Sequence, residues 1–123
     1  MTLTRTLMLA ATAVGLSSAV ASAEPAVIFD LGGKFDKSFN ESAFNGAQRW
    51  AEEKNATFRE FELQSDAQRE QALRRFAEAG ANPIVMAGFM FATPLGEVAA
   101  DYPDTKFAII DMVVDAPNVR SVV

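Results

Sequence analysis

The sequence predicts an α/β fold in which a parallel sheet carries helices on both faces. Short apolar segments alternate along the chain with longer segments whose apolar residues recur every three or four positions. The first apolar segment, residues 26–31, contains a single acid and no polar alternation, as expected for a strand that is covered on both sides. The segments follow one another as βαβαβαββ, an order that favours parallel strands joined by helical crossovers.

The chain begins with a predicted secretory signal peptide, residues 1–23. Arg5 is its one positive charge, residues 7–16 are its apolar core, and residues 21–23 form a small-residue cleavage site. The apolar run is well short of the roughly 20 residues that a membrane-spanning helix needs. We therefore expect export and cleavage before Glu24, which leaves one small domain, residues 24–123.

The first strand leads through a glycine-rich loop into the first helix. Gly32 and Gly33 permit positive φ values or a close approach of the backbone to a ligand. Ser38 and Glu41 have the spacing of a capping box, which predicts a helix over about residues 38–54. The residues predicted to face the core of the protein from this helix are Ala43, Phe44, Ala47, Trp50 and Ala51.

The second strand and helix follow after a short turn. Residues 57–63 mix apolar and charged side chains, which favours a strand near the edge of the sheet. A second capping-box spacing, between Ser65 and Gln68, predicts the start of a helix that continues to about Ala79. Gly80 is expected to end that helix in a left-handed conformation.

The remaining segments predict three strands and one helix. The third strand covers residues 83–87, and Thr93-Pro94 resembles a cap followed by proline at the first helical position. The fourth and fifth strands are predicted at residues 106–110 and 119–123. Helices lie between the first four strands but not between the fourth and the fifth.

Composition excludes several classes of function. The chain has 16 acidic and 11 basic residues, a net charge of −5, and no block of like charge, which argues against nucleic acid and anionic membranes as partners. It has neither Cys nor His, which excludes thiolate chemistry, a Ser-His-Asp triad, Cys/His metal sites and a lipid-modified N-terminal cysteine. The glycine-rich loop also fits no dinucleotide or P-loop motif. We expect no metal, no cofactor and a soluble exported product.

Candidate binding residues follow three of the predicted strands. Asp30 ends the first strand, Gly88-Phe89 follows the third, and Asp111 follows the fourth. The carboxyl ends of parallel strands share one edge of the sheet, where ligands bind beside a topological switch point. The acids can accept hydrogen bonds from a ligand, and Phe39 or Phe89 can stack on it, so the pattern favours an aromatic, hydrogen-bond-donating small molecule.

Three side chains of the loops at this edge, including Asp36 of the first loop, have a structural alternative. Phe39 is about equally well explained as a core residue at a helix start. Asp111 can serve to cap its own loop, and Asp36 can serve to cap the first helix.

Four motifs together resemble a known family. They are the segment Asp36-Lys37-Ser38-Phe39-Asn40, the pair Gly88-Phe89, residues 104–111 (DTKFAIID) and residues 118–123 (NVRSVV). In order and spacing they are similar to the basic membrane protein family. These proteins are periplasmic or lipid-anchored substrate-binding components of ABC transporters, and many are nucleoside receptors.

The resemblance implies a type I periplasmic-binding fold, in which two lobes close on a purine nucleoside and deliver it to a permease complex. The aromatic residue that stacks on the base falls on Phe39, and Asn40 belongs to the same motif. The acid at the end of the first strand falls on Asp30, and the acid that pairs with the base edge falls on Asp111. Gly88 and Phe89 match the loop that approaches the ligand from the same lobe.

Two departures from the family pattern matter. Many members have two acids before the lysine, whereas this chain has Phe35-Asp36. The matched segment is only the first part of an N-terminal lobe, so we expect residues 24–123 to form a partial lobe that lacks the second lobe, binds nucleoside weakly by itself and tends to aggregate.

Two other functions remain open from the sequence. A receptor for another small polar ligand, such as a sugar, would use the same acids without needing an aromatic residue for stacking. A small exported α/β enzyme would have only Asp30, Asp36, Asp111 and Lys37 for acid–base chemistry, with nothing to show that any two are close. We therefore expect a binding protein and not an enzyme.

Overall fold

A computed structural model describes residues 23–123, and the predicted signal peptide lies outside the described residues except for Ala23. Five short strands and three α-helices alternate in the predicted order. Their bounds are β1 Ala26–Phe29, α1 Phe39–Lys54, β2 Arg59–Glu62, α2 Gln68–Glu78, β3 Ile84–Ala87, α3 Ala92–Asp101, β4 Phe107–Ile110 and β5 Val119–Val122. A short 3₁₀ helix, Phe89–Phe91, precedes α3.

The five strands form one parallel sheet in the order β2-β1-β3-β4-β5. The chain leaves β1 towards β2 on one side and later returns to β3 on the other side, so the strand order reverses between β1 and β3. This reversal is the switch point at which open α/β sheets bind ligands. The predicted fold class is confirmed, including the edge position of β2.

The main core lies between the sheet and the pair α2 and α3. Alternate residues of the three inner strands enter it because side chains of a strand point to opposite faces in turn. These strand residues are Ala26, Ile28, Ile84, Met86, Phe107 and Ile109, and all are at most 2% exposed. The helices contribute Ala72, Leu73, Ala77, Leu95, Val98 and Ala99.

Among residues 23–123, α1 is the one helix that covers the opposite face of the sheet. Val27 and Phe29 of β1 are buried beneath it, whereas Ala108 and Ile110 of β4 are only partly buried and Val122 of β5 is 47% exposed. The two faces of the sheet are therefore covered to different extents.

Trp50 departs from its expected place in the core. Its side chain is 38% exposed, and it lies near the amino end of the sheet together with Pro25 and Pro83. The expectation was wrong because the helical period gives only the direction of a side chain, and this part of α1 extends past the sheet that would cover it.

The predicted helix starts are also corrected by the structure. Ser38 makes no capping bond through its side chain, and the carboxylate of Asp36 takes that role. Helix α2 begins only at Gln68, whose side-chain oxygen accepts the backbone N–H of Gln64 at 2.7 Å. Helix α3 begins at Ala92, directly after the 3₁₀ helix, so Pro94 is its third residue, where a missing N–H leaves no helical bond unmade.

The predicted end of α2 is confirmed. Gly80 has a φ of 78°. The N–H of Ala81 bonds to the carbonyl of Phe76 at 3.0 Å. Within residues 23–123, no helix is both long and apolar enough to cross a bilayer.

Candidate functional site

The loops after β1, β3 and β4 meet at the carboxyl edge of the sheet. The N–H of Gly88 donates to the carbonyl of Ile110 at 3.1 Å, which ties the β3 loop to the end of β4. The N–H of Asp111 donates to the carbonyl of Val122 at 2.8 Å, which ties the β4 loop to β5. The edge is thus a continuous surface built from the segments that carry the predicted site residues.

Asn40 holds the β1–α1 loop in shape. Its side-chain oxygen accepts the N–H of Asp30 at 3.0 Å, and its amide donates to the carbonyls of Asp30 and Gly33 at 3.0 and 3.2 Å. The residue is only 2% exposed. Its polar atoms therefore bind the backbone of the loop that carries the other candidates.

Asp36 fixes the other end of that loop to α1. Its carboxylate accepts the backbone N–H groups of Ser38, Asn40 and Glu41 at 2.8, 3.2 and 3.1 Å. Partial burial by itself would raise the pKa of Asp36, but these N–H groups outweigh it and lower the pKa below its usual value. The structural alternative for Asp36, a helix cap, is what the geometry shows.

Lys34 anchors the middle of the loop to the edge strand β2. Its backbone N–H donates to Glu62 at 3.1 Å, and its ammonium forms an ion pair with Glu60. The same ammonium lies 4.7 Å from the ring centroid of Phe44, within the range of a cation–π contact. The loop is therefore held at both ends and in the middle.

Asp30 and Gly88 are in direct contact at the switch point. Gly88 has a φ of 118°, and a Cβ atom placed on it would lie 2.7 Å from Oδ2 of Asp30. The absence of a side chain at position 88 is what allows the β3 loop to approach this carboxylate. The other oxygen of Asp30, Oδ1, accepts the N–H of Leu31 at 2.8 Å and also pairs with the guanidinium of Arg69.

The aromatic candidates are exposed at this edge. Phe39, the first residue of α1, is 40% exposed, and Phe89, at the start of the 3₁₀ helix, is 57% exposed. Asp111 is exposed with a φ of 72°. The rim also carries exposed apolar side chains from all three loops: Leu31, Phe35, Met90, Met112 and Val113.

The structure thus sorts the six predicted site residues into two groups. Asp30, Asn40 and Gly88 contact one another directly or through the loop backbone. Phe39, Phe89 and Asp111 lie on the loops of the same edge with exposed side chains. A partly buried acceptor and exposed aromatic faces on one edge can bind a flat molecule that carries hydrogen-bond donors.

Arg69 also lies at this edge, although the sequence patterns above did not predict it there. It is 5% exposed and pairs with both Asp30 and Asp66. Two signals were available. Arg69 continues the stripe of α2 that contains Ala72 and Leu73, which predicts a side chain facing the sheet, and Asp30 is a strand-end acid in need of a partner.

Comparisons with known proteins show the family to which the chain belongs. Residues 23–123 match the family described as "ABC transporter substrate-binding protein PnrA-like". An uncharacterized lipoprotein of Pyrococcus furiosus is 42% identical over 90 residues, which are 70% of this chain and 22% of that protein. A protein of Lactococcus lactis named as the ABC transporter nucleoside-binding protein BmpA is 29% identical over 78% of this chain and 29% of its own length.

Solved structures show the same fold. A solute-binding protein of an ABC transporter system from Aeropyrum pernix aligns with a TM-score of 0.76 and 37% identity, over 81% of this chain and 28% of that one. A lipoprotein fragment from Peptoclostridium difficile aligns with a TM-score of 0.71 and 28% identity, over 84% of its chain.

This chain therefore spans about a quarter of the length of the curated relatives cited here. The family resemblance of the four sequence motifs is confirmed by the match over residues 23–123. The chain belongs to the family of PnrA-like substrate-binding proteins of ABC transporters.

Proposed function

We propose that this chain forms the first part of the N-terminal lobe of an exported receptor, and that its carboxyl edge binds a purine nucleoside. The observation that carries the proposal is Phe39, an exposed aromatic side chain that begins α1 at the switch point, on the same edge as a fixed strand-end acid. The relative of this chain from Lactococcus lactis is named a nucleoside-binding protein, which supports this choice of ligand.

The proposed contacts divide between stacking and hydrogen bonding. Phe39 stacks on the base, Phe89 adds a second apolar contact, and Asp111 accepts hydrogen bonds from the base edge. Asp30 accepts one hydrogen bond from a ligand hydroxyl or amino group, because Oδ1 is already bonded to Leu31 and Arg69 while Oδ2 has no hydrogen bond from the described residues. Asn40 acts by holding the loop, and Gly88 acts by leaving space for the carboxylate.

The proposed partners are a permease complex and, for the other face of the ligand, a second lobe. A specific site buries about 70 to 90% of a small ligand. The carboxyl edge formed by residues 23–123 can cover only one side of a ligand. The relatives are several times longer than this chain. We infer that this edge and a second lobe enclose a nucleoside between them. The protein would do so outside the cytoplasm, without catalysis and without a cofactor.

The test compares two aromatic residues of the same helix in the complete protein as encoded. Phe39→Ala is expected to weaken guanosine and adenosine binding by about 1 to 3 kcal/mol, the contribution of one stacked base. Trp50→Ala is the matched control because Trp50 is similarly exposed, 38% against 40%, but lies at the far end of α1. Calorimetric titration, with circular dichroism to verify folding, measures both.

Asp111→Ala is expected to weaken binding by a similar amount, because a hydrogen bond to a charged group contributes about 1.5 to 3 kcal/mol. If Phe39→Ala and Asp111→Ala both fold and bind nucleosides as tightly as the parent, the proposed contacts are wrong. Binding of free ribose with an affinity independent of Phe39 would favour the sugar receptor, and conversion of nucleoside into product would favour the enzyme.

A further inference from the structure

Arg69 joins three segments of the carboxyl edge through one buried guanidinium. It pairs with Asp30 after β1 and with Asp66 before α2. Its Cζ atom lies 5.5 Å from the ring centroid of the buried Phe91, after β3. Its Nε atom is buried and has no hydrogen-bond partner among the described residues. The charge is thus held at the centre of the switch point.

Joining three segments through a buried guanidinium costs more free energy than joining them through apolar contacts. Removing a charge from water costs free energy that paired carboxylates offset only in part, and well-packed apolar residues often serve such a position as well. Burial alone would lower the pKa of Arg69, but hydrogen bonds to Asp66 and Asp30 outweigh it and raise the pKa, so the group stays charged. The arrangement is better explained by what it does to Asp30.

Asp30 is held so that one oxygen remains available. Oδ1 receives both the N–H of Leu31 and the guanidinium, and Oδ2 lies against Gly88, where a Cβ atom would come within 2.7 Å. The side chain keeps 20% of its surface exposed. A carboxylate fixed at Oδ1 in this way cannot rotate freely and presents Oδ2 as its remaining acceptor.

We propose that Arg69 is a positioning residue for ligand binding, which fixes the Asp30 carboxylate so that Oδ2 alone accepts a hydrogen bond from the ligand. This inference rests on the proposed function. It adds that a residue of α2, a helix that carries none of the predicted contact residues, fixes the orientation of the Asp30 carboxylate at the end of β1.

The test is a double-mutant cycle in the complete protein as encoded, with guanosine titration as the readout. Arg69→Met is expected to weaken binding about tenfold or more, as follows when one hydrogen bond to a charged group is lost. In the Asp30→Asn background, Arg69→Met is expected to have little further effect, because its action passes through Asp30. Arg69→Lys keeps the charge but lacks the planar fork, so it is expected to restore affinity only in part.

Arg74→Met provides a matched control on the same helix. Arg74 also bonds two carboxylates, Glu70 and Asp101 at 2.8 Å each, but these belong to α2 and the end of α3 and not to the carboxyl edge. The Arg74→Met variant is expected to bind guanosine as tightly as the parent. Thermal unfolding of every variant separates lost folding from lost binding, and Arg69→Lys supplies the comparison if Arg69→Met does not fold.

Three outcomes would overturn the inference. If folded Arg69→Met or Arg69→Lys binds guanosine like the parent, Arg69 has no positioning role and the proposed function stands. If Arg69→Met weakens binding equally in the parent and in the Asp30→Asn background, Arg69 acts on the fold and not through Asp30. If the parent itself binds no nucleoside, the proposed function fails first and this inference fails with it.

Discussion

At the scale of single residues, Asp36 illustrates how one carboxylate defines a helix start. Ser38 stands at the N-cap position, but the side chain that satisfies the free N–H groups of α1 comes from two residues earlier. The left-handed backbone of Lys37, with a φ of 57°, turns the chain so that Asp36 lies over the helix end. A carboxylate there is also favoured by the helix dipole.

The lowered pKa of Asp36 predicts a pH-dependent stability. A carboxyl group with a lower pKa in the folded than in the unfolded state contributes stability above its unfolded pKa of 3.8, and this stability is lost as the pH falls through the folded pKa. Asp36→Ala should therefore unfold more easily than the parent near neutral pH, and the difference should shrink below about pH 4. Urea denaturation across this range measures it.

Asp115→Ala serves as the control, since Asp115 is exposed and makes no side-chain hydrogen bond or ion pair within the described residues. A stability difference for Asp36→Ala that persists unchanged at low pH would show that its ionised carboxylate is not the group that caps α1.

At the same scale, the sequence was informative about which residues lie at the carboxyl edge of the sheet but not about their contacts with one another. Asp30, Phe39 and Asp111 were placed correctly on one edge because parallel strands end together. The pairing of Asp30 with Arg69 spans 39 positions of the chain, and no local pattern encodes such a separation. The bonds of the Asn40 amide to the backbone of its own loop were likewise not predictable, because no local sequence pattern indicates them.

At the scale of elements, α3 depends on a residue far from it in the chain. The side-chain amide of Asn118, which is 6% exposed, donates to the carbonyls of Ala99 and Tyr102 at 2.9 Å each and to that of Thr105 at 3.0 Å. These carbonyls lie at and beyond the C-terminal end of α3, where helical partners run out. One residue next to β5 thus completes the end of a helix.

Asn118→Ala should lower the free energy of unfolding by about 1 to 3 kcal/mol, because it removes the amide that donates to three carbonyl groups around the end of α3. Asn118→Asp should be at least as damaging, since an ionised carboxylate has no hydrogen to donate and faces the negative end of the helix dipole. Urea denaturation measures both variants. Asn45→Ala, at an exposed position of α1, is expected to stay within about 0.5 kcal/mol of the parent.

An Asn118→Asp protein as stable as the parent would mean that this amide does not support α3.

The elements themselves were predictable because their apolar periods differ, and all eight predicted strands and helices are present. Their ends were less predictable. Leu31 was assigned to the first strand, but β1 ends at Phe29 and Leu31 is 42% exposed, since the chain turns towards the site there.

At the scale of the whole molecule, the unequal cover of the sheet determines how residues 24–123 should behave alone. The face under α1 leaves Ala108, Ile110 and Val122 partly or largely exposed at the β4–β5 side of the sheet. Exposed apolar surface beside an open strand edge favours association between chains.

Residues 24–123 expressed alone are therefore expected to self-associate and to bind guanosine and adenosine weakly, if at all. Val122→Lys should reduce the association, because a charge on an edge strand opposes pairing. Val113→Lys is the control, since Val113 is also exposed, at 62%, but lies in the β4–β5 loop. Light scattering and nucleoside titration supply the readouts, and a stable monomer with micromolar affinity would show that one lobe is a sufficient binding unit.

The position of β1 in the sheet also bears on the order of assembly. β1 is the first strand in the chain, yet it lies between β2 and β3, with Ala26 paired to Arg59 on one side and to Ile84 on the other. A chain that emerges from its N-terminus thus makes an inner strand before either neighbour exists, and β2 and then β3 become available to pair with it on opposite sides. β1 therefore has both of its hydrogen-bonded neighbours only after residues 84–87 have been made.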